Sequence, residues 1–257
     1  MRVKLIFEIK KNELPKNNKN IWLSFLKYAL SNTNKAYREK FFNKNIKEKD
    51  YSFCVILPHP KYPDNSNKVI LNSQDNINSK ELVTMMFSAR DEKSTSFIFL
   101  SSFTNVKGKT FNLPHGNSMI LKQINMVDEQ IDEIDTAAVF ISPRGSGMLF
   151  RDHDKATNKD TFYDINDKDF DKIATEVVRR QVAAAGFPEK DANRLEVKRA
   201  NYSGNRTWRT MHYGVTCKVS NAISITSTKS ILTYLYNSGV GSKHSMGYGF
   251  ISEVIPV

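Results

Sequence analysis

The spacing of apolar residues along this chain switches between a period of two and one near 3.6, and it does so in the same order twice. Few folds accommodate that order. Val3, Leu5, Phe7 and Ile9 alternate with Lys4, Glu8 and Lys10, the pattern of a half-buried strand. Ile21, Phe25, Tyr28 and Ala29, with Leu26 and Leu30, recur at helical spacing and predict a helix over 20–30. It resumes over 35–42 after Ser31-Asn32-Thr33-Asn34. Tyr51–Leu57 reads as a strand stopped by Pro58, Pro60 and Pro63. Val69–Leu71 is a short hairpin strand, and Leu82–Ala89 alternates Val83, Met85 and Phe87. Asp91 is placed to cap a helix gathering Phe97, Leu100, Ser101 and Phe103, and Ser118–Val127 closes the set as a strand. In the second half, a strand over Thr136–Ser142 precedes a helix over Asp167–Ala185 with Phe170, Ile173, Ala174, Val177 and Val178 inward. Strands follow over Leu195–Tyr202 and His212–Thr226, the latter long enough for a bent hairpin. A helix capped by Ser227 or Thr228 carries Ile231, Leu232 and Leu235, and Tyr248–Val254 is the last strand. The order βαββαβ, twice, predicts an α+β fold of two tandem ferredoxin-like (RRM-like) domains, 1–127 and 128–257. A chain of 257 residues can fill two such cores of roughly 100–130 residues each.

Charge separates along the same chain. Residues 1–50 hold 13 Lys/Arg against 5 Asp/Glu, residues 190–257 hold 9 against 3, and the stretch between holds 16 against 19. If the fold joins the two basic ends, they form one face suited to a polyanion; otherwise they are solvated surface lysines. Cys54 and Cys217 lie in apolar, strand-like contexts without a C-x-x-C, and two thiols do not build a zinc site. They are expected to be buried core residues of a reducing compartment. No apolar run approaches the roughly 20 residues of a membrane span, and Lys4, Glu8 and Lys10 occupy the place of a signal peptide's apolar stretch. The expectation is a soluble cytoplasmic protein without a cofactor or metal.

The most distinctive segment is Gly239-Val-Gly-Ser-Lys-His-Ser-Met-Gly-Tyr-Gly-Phe250, in which Gly239, Gly241, Gly247 and Gly249 surround Ser242, Lys243 and His244. Glycines that admit positive φ, beside a lysine, suit close approach of backbone amides to phosphate; the same residues also make a tight helix–strand turn. The segment is neither a Walker A loop nor a Rossmann turn. It resembles the signature of the Cas-six family of pre-crRNA-processing endoribonucleases in the RAMP superfamily, where a Gly-x-Gly-Ser-Lys/Arg-x-Ser-x-Gly-aromatic-Gly segment precedes the last strand of the second ferredoxin-like domain. Three further stretches are similar to that family's pattern: 2–9 with 22–30, 51–62 with its proline turn, and Phe140-Ile-Ser-Pro143 followed by Arg151 and His153.

The resemblance implies metal-independent cleavage of CRISPR repeat RNA. The ribose 2′-OH attacks the adjacent phosphate, a 2′,3′-cyclic phosphate and a 5′-OH result, and the crRNA is retained. Other CRISPR effector subunits are implied partners, with the chain a monomer or homodimer. In many relatives a histidine in or just after the first helix moves the proton, but residues 19–50 here contain none. Tyr37 and Lys40, three apart on one helical face, take that place as catalytic candidates, with an ordinary surface the equal alternative. His244, inside the glycine segment, is the third. Tyr28 fits the helix core. His59 and His115 read as turn residues. His212 faces either RNA or solvent. RNA contacts are expected from Gly239, Gly241, Ser242, Lys243, Gly247 and Gly249, from Arg151 and His153, and from Arg206, Trp208 and Arg209. That last cluster interleaves an aromatic with cations, as base stacking and phosphate neutralisation require; Trp208 fits a hairpin core equally well. A catalytically degenerate repeat-RNA binder is the alternative reading.

Overall fold

The computed structural model describes residues 1–43, 49–64, 66–71, 82–129, 131, 134–212 and 215–257. The chain divides into two compact units. The first is Met1–Ile46, Val55–Phe87 and Asp91–Val127; the second is Lys47–Cys54, Ser88–Arg90 and Asp128–Val257.

The elements of the first half are β1 (Arg2–Ile9), β2 (Glu13–Pro15), α1 (Lys19–Thr33), α2 (Lys35–Phe42), β3 (Tyr51–Ile56), β4 (Pro60–Lys61), β5 (Lys68–Leu71), β6 (Leu82–Ala89), α3 (Thr95–Val106), β7 (Thr110–Leu113) and β8 (Asn117–Met126). Their main sheet has the order β3-β6-β1-β8-β7. Leaving aside the added edge β7, the strands of the β1-α1-β3-β6-α3-β8 sequence lie in the order second, third, first, fourth, which is ferredoxin-like. The alternation in β1 has its expected consequence: Val3, Leu5, Phe7 and Ile9 are all fully buried. Phe7 meets Trp22 and Phe25 of α1 at ring separations of 5.3 and 4.8 Å, and Phe87 of β6 meets Phe99 and Phe103 of α3 at 4.6 and 5.1 Å.

The second half adds β9 (Ala137–Ile141), β10 (Phe150–Asp154), β11 (Lys159–Tyr163), α4 (Phe170–Ala184), α5 (Glu189–Arg194), β12 (Glu196–Arg199), β13 (Thr207–His212), β14 (Val215–Ser220), β15 (Ala222–Thr226), α6 (Lys229–Ser238) and β16 (Glu253–Pro256). Its four-stranded sheet, β12-β15-β9-β16, repeats the same order, with all three neighbour pairs antiparallel. Phe140, Phe150, Phe170, Val178, Ile225, Leu232 and Leu235 fill the core between this sheet and its helices. Two hairpins, β10–β11 and β13–β14, stand outside the sheet as separate two-stranded ribbons.

Several local expectations are corrected. Phe97 is 66% exposed, and α3 turns Ile98, Phe99, Ser102, Phe103 and Val106 inward instead. A short 3₁₀ turn over Glu92–Ser94 intervenes after Asp91, so Ser94, not Asp91, precedes α3. The long strand over 212–226 is broken at Asn221 into β14 and β15, which pair with different partners. The final strand begins only at Glu253. Tyr248, Phe250 and Ile251 are buried without strand geometry, so their apolar character reflects loop packing. Cys54 and Cys217 are buried and in no disulfide, as expected. No helix among the described residues is long and apolar enough to cross a membrane.

Candidate nucleic-acid interface

The glycine segment leaves α6 at Gly239 and winds back to Phe250 with φ of 87° at Gly239, 87° at Gly241, 88° at Gly247 and 60° at Gly249; Lys243 also has a positive φ, 58°. At Gly239, Gly241 and Gly249 glycine is needed for space as well. A Cβ on Gly241 would lie 2.7 Å from the Leu149 carbonyl oxygen, and one on Gly249 would fall on the carbonyl of Val240. The segment is sewn into the unit by its own main chain. Gly239 N–H donates to Leu235 O (2.9 Å), Ser242 N–H to Leu149 O (2.7 Å) and Gly249 N–H to Gly147 O (2.7 Å). Gln181 of α4, buried, donates from Nε2 to Gly239 O at 2.8 Å and accepts from Gly241 N–H at 3.0 Å. The expectation that these amides are aimed at phosphate is therefore corrected for Gly239, Gly241, Ser242 and Gly249: their hydrogen bonds are internal. The glycines allow close packing, and what the loop turns outward is side chain.

Two side chains of the loop differ in kind. His244 is only 6% exposed, and its Nδ1 lies 3.1 Å from the Tyr51 carbonyl oxygen. Burial pushes the Tyr51 phenol well above its ordinary value, against a hydrogen bond with the Ser245 side chain. This is a packed, polar knot. Lys243 is half-buried. Burial, then the charge of Arg151, pushes its ammonium below the usual lysine range, with Asp160 and Cys217 acting in the opposite sense.

Lys243 thus shares a neighbourhood with the β10–β11 hairpin. In that ribbon His153 stands opposite Asp160, and Arg151 projects from the same strand face two residues away. The Asp160 carboxylate accepts from Arg151 Nη1 at 2.9 and 3.1 Å and lies 2.8 Å from His153 Nδ1. Partial burial works to raise the Asp160 carboxyl, but the hydrogen bonds from Arg151 and His153 outweigh it and hold the group below its ordinary value. Phe150 anchors the ribbon on Phe170 of α4, ring centroids 5.2 Å apart.

The β13–β14 hairpin carries the third group. Trp208 is half-buried against Leu149, Cys217, Val219 and Tyr248, and its ring covers Gly147 so closely that a Cβ there would lie 2.8 Å from it. Arg206 and Arg209 are exposed. Main-chain bonds of Met148 with Ser220 and of Leu149 with Ser242 make 147–149 the seam joining this hairpin to the glycine loop. Lys243, Arg151, His153, Trp208 and Arg209 therefore sit on three elements tied together within one unit. Gln181, Asp160 and the 147–149 seam escaped sequence reasoning; Gly145-Ser146-Gly147 after a proline was the signal that could have drawn attention to the last.

In the first unit, Tyr37 is half-buried and Lys40 exposed on α2, with Lys40 Nζ 5.5 Å from the Phe41 ring centre. Tyr28 is half-buried against Phe111, 5.1 Å between ring centres. His59 and His115 occupy turns with φ of 35° and 60°. Among the described residues no group of three or more His, Cys, Asp or Glu side chains is placed to hold a metal ion.

This architecture is shared with solved structures. A Cas6-related protein from Pyrococcus furiosus superposes with a TM-score of 0.75 at 14% identity, covering 99% of this chain and 98% of that one. A RAMP protein described as binding different RNA substrates gives 0.72 at 16% identity, over 98% of each chain. A Cas6 product complex gives 0.63 at 14% identity, over the whole of both. At these identities the likeness shows the fold. No curated protein matches the chain. Residues 129–253, which contain the glycine segment and both hairpins, match the family model of the CRISPR-associated protein Cas6 C-terminal domain. Over those residues the chain is similar to the C-terminal domain of the Cas6 family, and its fold over the whole length is like that of a solved Cas6-related protein.

Proposed function

We propose that this protein binds CRISPR repeat RNA and cleaves pre-crRNA within its repeats. The ribose 2′-OH attacks the adjacent phosphate without a metal, leaving a 2′,3′-cyclic phosphate and a 5′-OH, and the crRNA stays bound. The observation that carries this reading is the family match over 129–253. The likeness in fold to a Cas6 product complex supports it. So does the chemistry of the second unit, where one lysine and several arginines are available to a polyanion and to the charge of a phosphorane.

In this reading the first domain, 1–127, supplies Tyr37 and Lys40 as candidates for proton transfer. The second, 128–257, supplies the RNA contacts at Lys243, Arg151, His153, Arg206, Trp208 and Arg209. Gly239, Gly241, Ser242, Gly247 and Gly249 act by shaping the loop that carries Lys243. His244 is the third catalytic candidate, and its enclosed ring makes it a support of that loop as well. A binding-only role has one observation in its favour, the absence of histidine from 19–50. Labelled repeat RNA incubated with the purified protein in EDTA separates the two. Discrete products bearing cyclic phosphate are expected; a stable complex with intact RNA would leave the binding-only reading standing.

A further inference from the structure

We propose that His153, oriented by Asp160, is the proton acceptor for the 2′-OH in this chain, with Arg151 and Lys243 holding the scissile phosphate. The inference rests on the endoribonuclease reading above and names where its chemistry occurs. It starts from a contrast between two histidines. His244 is enclosed, and its Nδ1 is engaged with the Tyr51 carbonyl. The His153 side chain is 38% exposed and its Nδ1 lies 2.8 Å from an Asp160 oxygen. A carboxylate at that nitrogen favours the tautomer with the proton on Nδ1, which leaves the Nε2 lone pair as the proton acceptor. That is the state of a general base, and a ribose hydroxyl can reach it.

The ribbon that carries the pair is set in place before RNA arrives. Phe150 is buried against α4. At the other end Asp154 accepts from Ala156 N–H at 2.8 Å and from Thr157 Oγ1 at 2.6 Å, while Asn158, φ 53°, closes the turn. Asp160 fixes Arg151 with the same carboxylate that fixes His153, so the guanidinium and the imidazole edge keep a constant spacing. Lys243, from the glycine loop, lies near enough to Arg151 that the guanidinium's charge adds to burial in holding its ammonium below the ordinary lysine range. An ammonium so placed is a better acid than a solvated one.

The step balances within these residues. The 2′-OH loses its proton to His153 Nε2 as the O2′–P bond forms. The P–O5′ bond then breaks, and O5′ takes a proton from Lys243. Solvent afterwards removes the proton from His153 and restores the one on Lys243. No oxidant, metal or further reactant enters.

The test is single-turnover cleavage of repeat RNA by the full chain, alongside RNA affinity and thermal melting. His153→Ala should melt like the parent and, with the RNA saturated by protein, cut roughly 10²-fold or more slowly, the scale of a lost general base. Added imidazole should restore part of the rate, which a structural or binding role would not allow. Asp160→Asn should slow the cleavage step while leaving Kd within about twofold. His244→Ala should gain nothing from imidazole. If the parent cuts and His153→Ala cuts within threefold of it, the assignment fails and the endoribonuclease reading stands. If the parent leaves repeat RNA intact, the endoribonuclease reading itself fails.

Discussion

Replacing Gly241 with alanine probes what the glycines of the loop are for, and Gly108 supplies the control. Both have positive φ, 87° and 79°, so both substitutions carry the backbone penalty of placing a Cβ in that region, about 1–2 kcal/mol. Around Gly108 nothing lies within 4 Å, so the cost ends there, less the fraction of a kcal/mol regained by stiffening the unfolded chain. At Gly241 the new Cβ meets the Leu149 carbonyl oxygen at 2.7 Å, and ordinary contact begins near 3.4 Å. That carbonyl must therefore withdraw. Withdrawal breaks the bond it accepts from Ser242 N–H and disturbs the Gly241 N–H to Gln181 bond, two interactions at about 1 kcal/mol each. The sums are about 3 kcal/mol for Gly241→Ala and about 1 kcal/mol for Gly108→Ala. For a chain of this size each kcal/mol lowers Tm by about 2–4 °C, so losses of roughly 6–12 °C and 2–4 °C are expected. Thermal melting followed by circular dichroism reads both. If the two variants melt within about 2 °C of each other, the loop is not locked by the contacts described and the packing argument is wrong.

RNA affinity should fall steeply with salt, each neutralised phosphate of single-stranded RNA adding about −0.7 to the log–log slope. Lys243→Ala, Arg206→Ala and Arg209→Ala should each lower that slope by about one contact, and an unchanged slope would remove the residue from the interface. Acid titration should expose the carboxylates of the second unit. Partial burial raises Asp160 and Asp167, but their hydrogen bonds, from Arg151 and His153 and from Lys218 respectively, prevail and hold both below the ordinary aspartate range. A carboxyl depressed in the folded state contributes stability above its unfolded value and loses it as pH falls through the folded value. Stability should therefore hold above about pH 5 and decline below pH 4, and Asp167→Asn should flatten that decline in urea melts run across the range.

The parts of the fold that were legible in the sequence are those whose side chains report their own burial. β1 announced itself by the alternation of Val3, Leu5, Phe7 and Ile9, and α4 by Phe170, Ala174, Val177 and Val178 at helical spacing. The polar ribbons were not legible. Phe-Arg-Asp-His-Asp in β10 and Thr-Trp-Arg-Thr-Met-His in β13 form hairpins outside the sheets, where neither face must be apolar, so no alternation marks them. Phe97 misled because an aromatic at helical spacing looks like core, whereas the adjacent Ile98 and Phe99 already fill it. At the candidate site the glycines were visible, and their positive φ followed from their identity. The direction of their amides was not, because it depends on Gln181, some sixty residues distant in sequence, and on Leu149. Asp160 was invisible for the same reason: its meaning comes from the strand pairing that sets it across from His153.

In the proposed reaction RNA is cut by its own 2′-OH in a site made only of side chains. The most direct measurement uses repeat RNA carrying a single 2′-deoxy substitution at the nucleotide upstream of the scissile phosphate, assayed in EDTA beside the unmodified strand. The unmodified strand should be cut to a 2′,3′-cyclic phosphate and a 5′-OH, and the deoxy strand should bind with similar affinity yet remain intact. Cleavage of the deoxy strand, or cleavage of either strand only when Mg²⁺ is restored, would rule out that reaction.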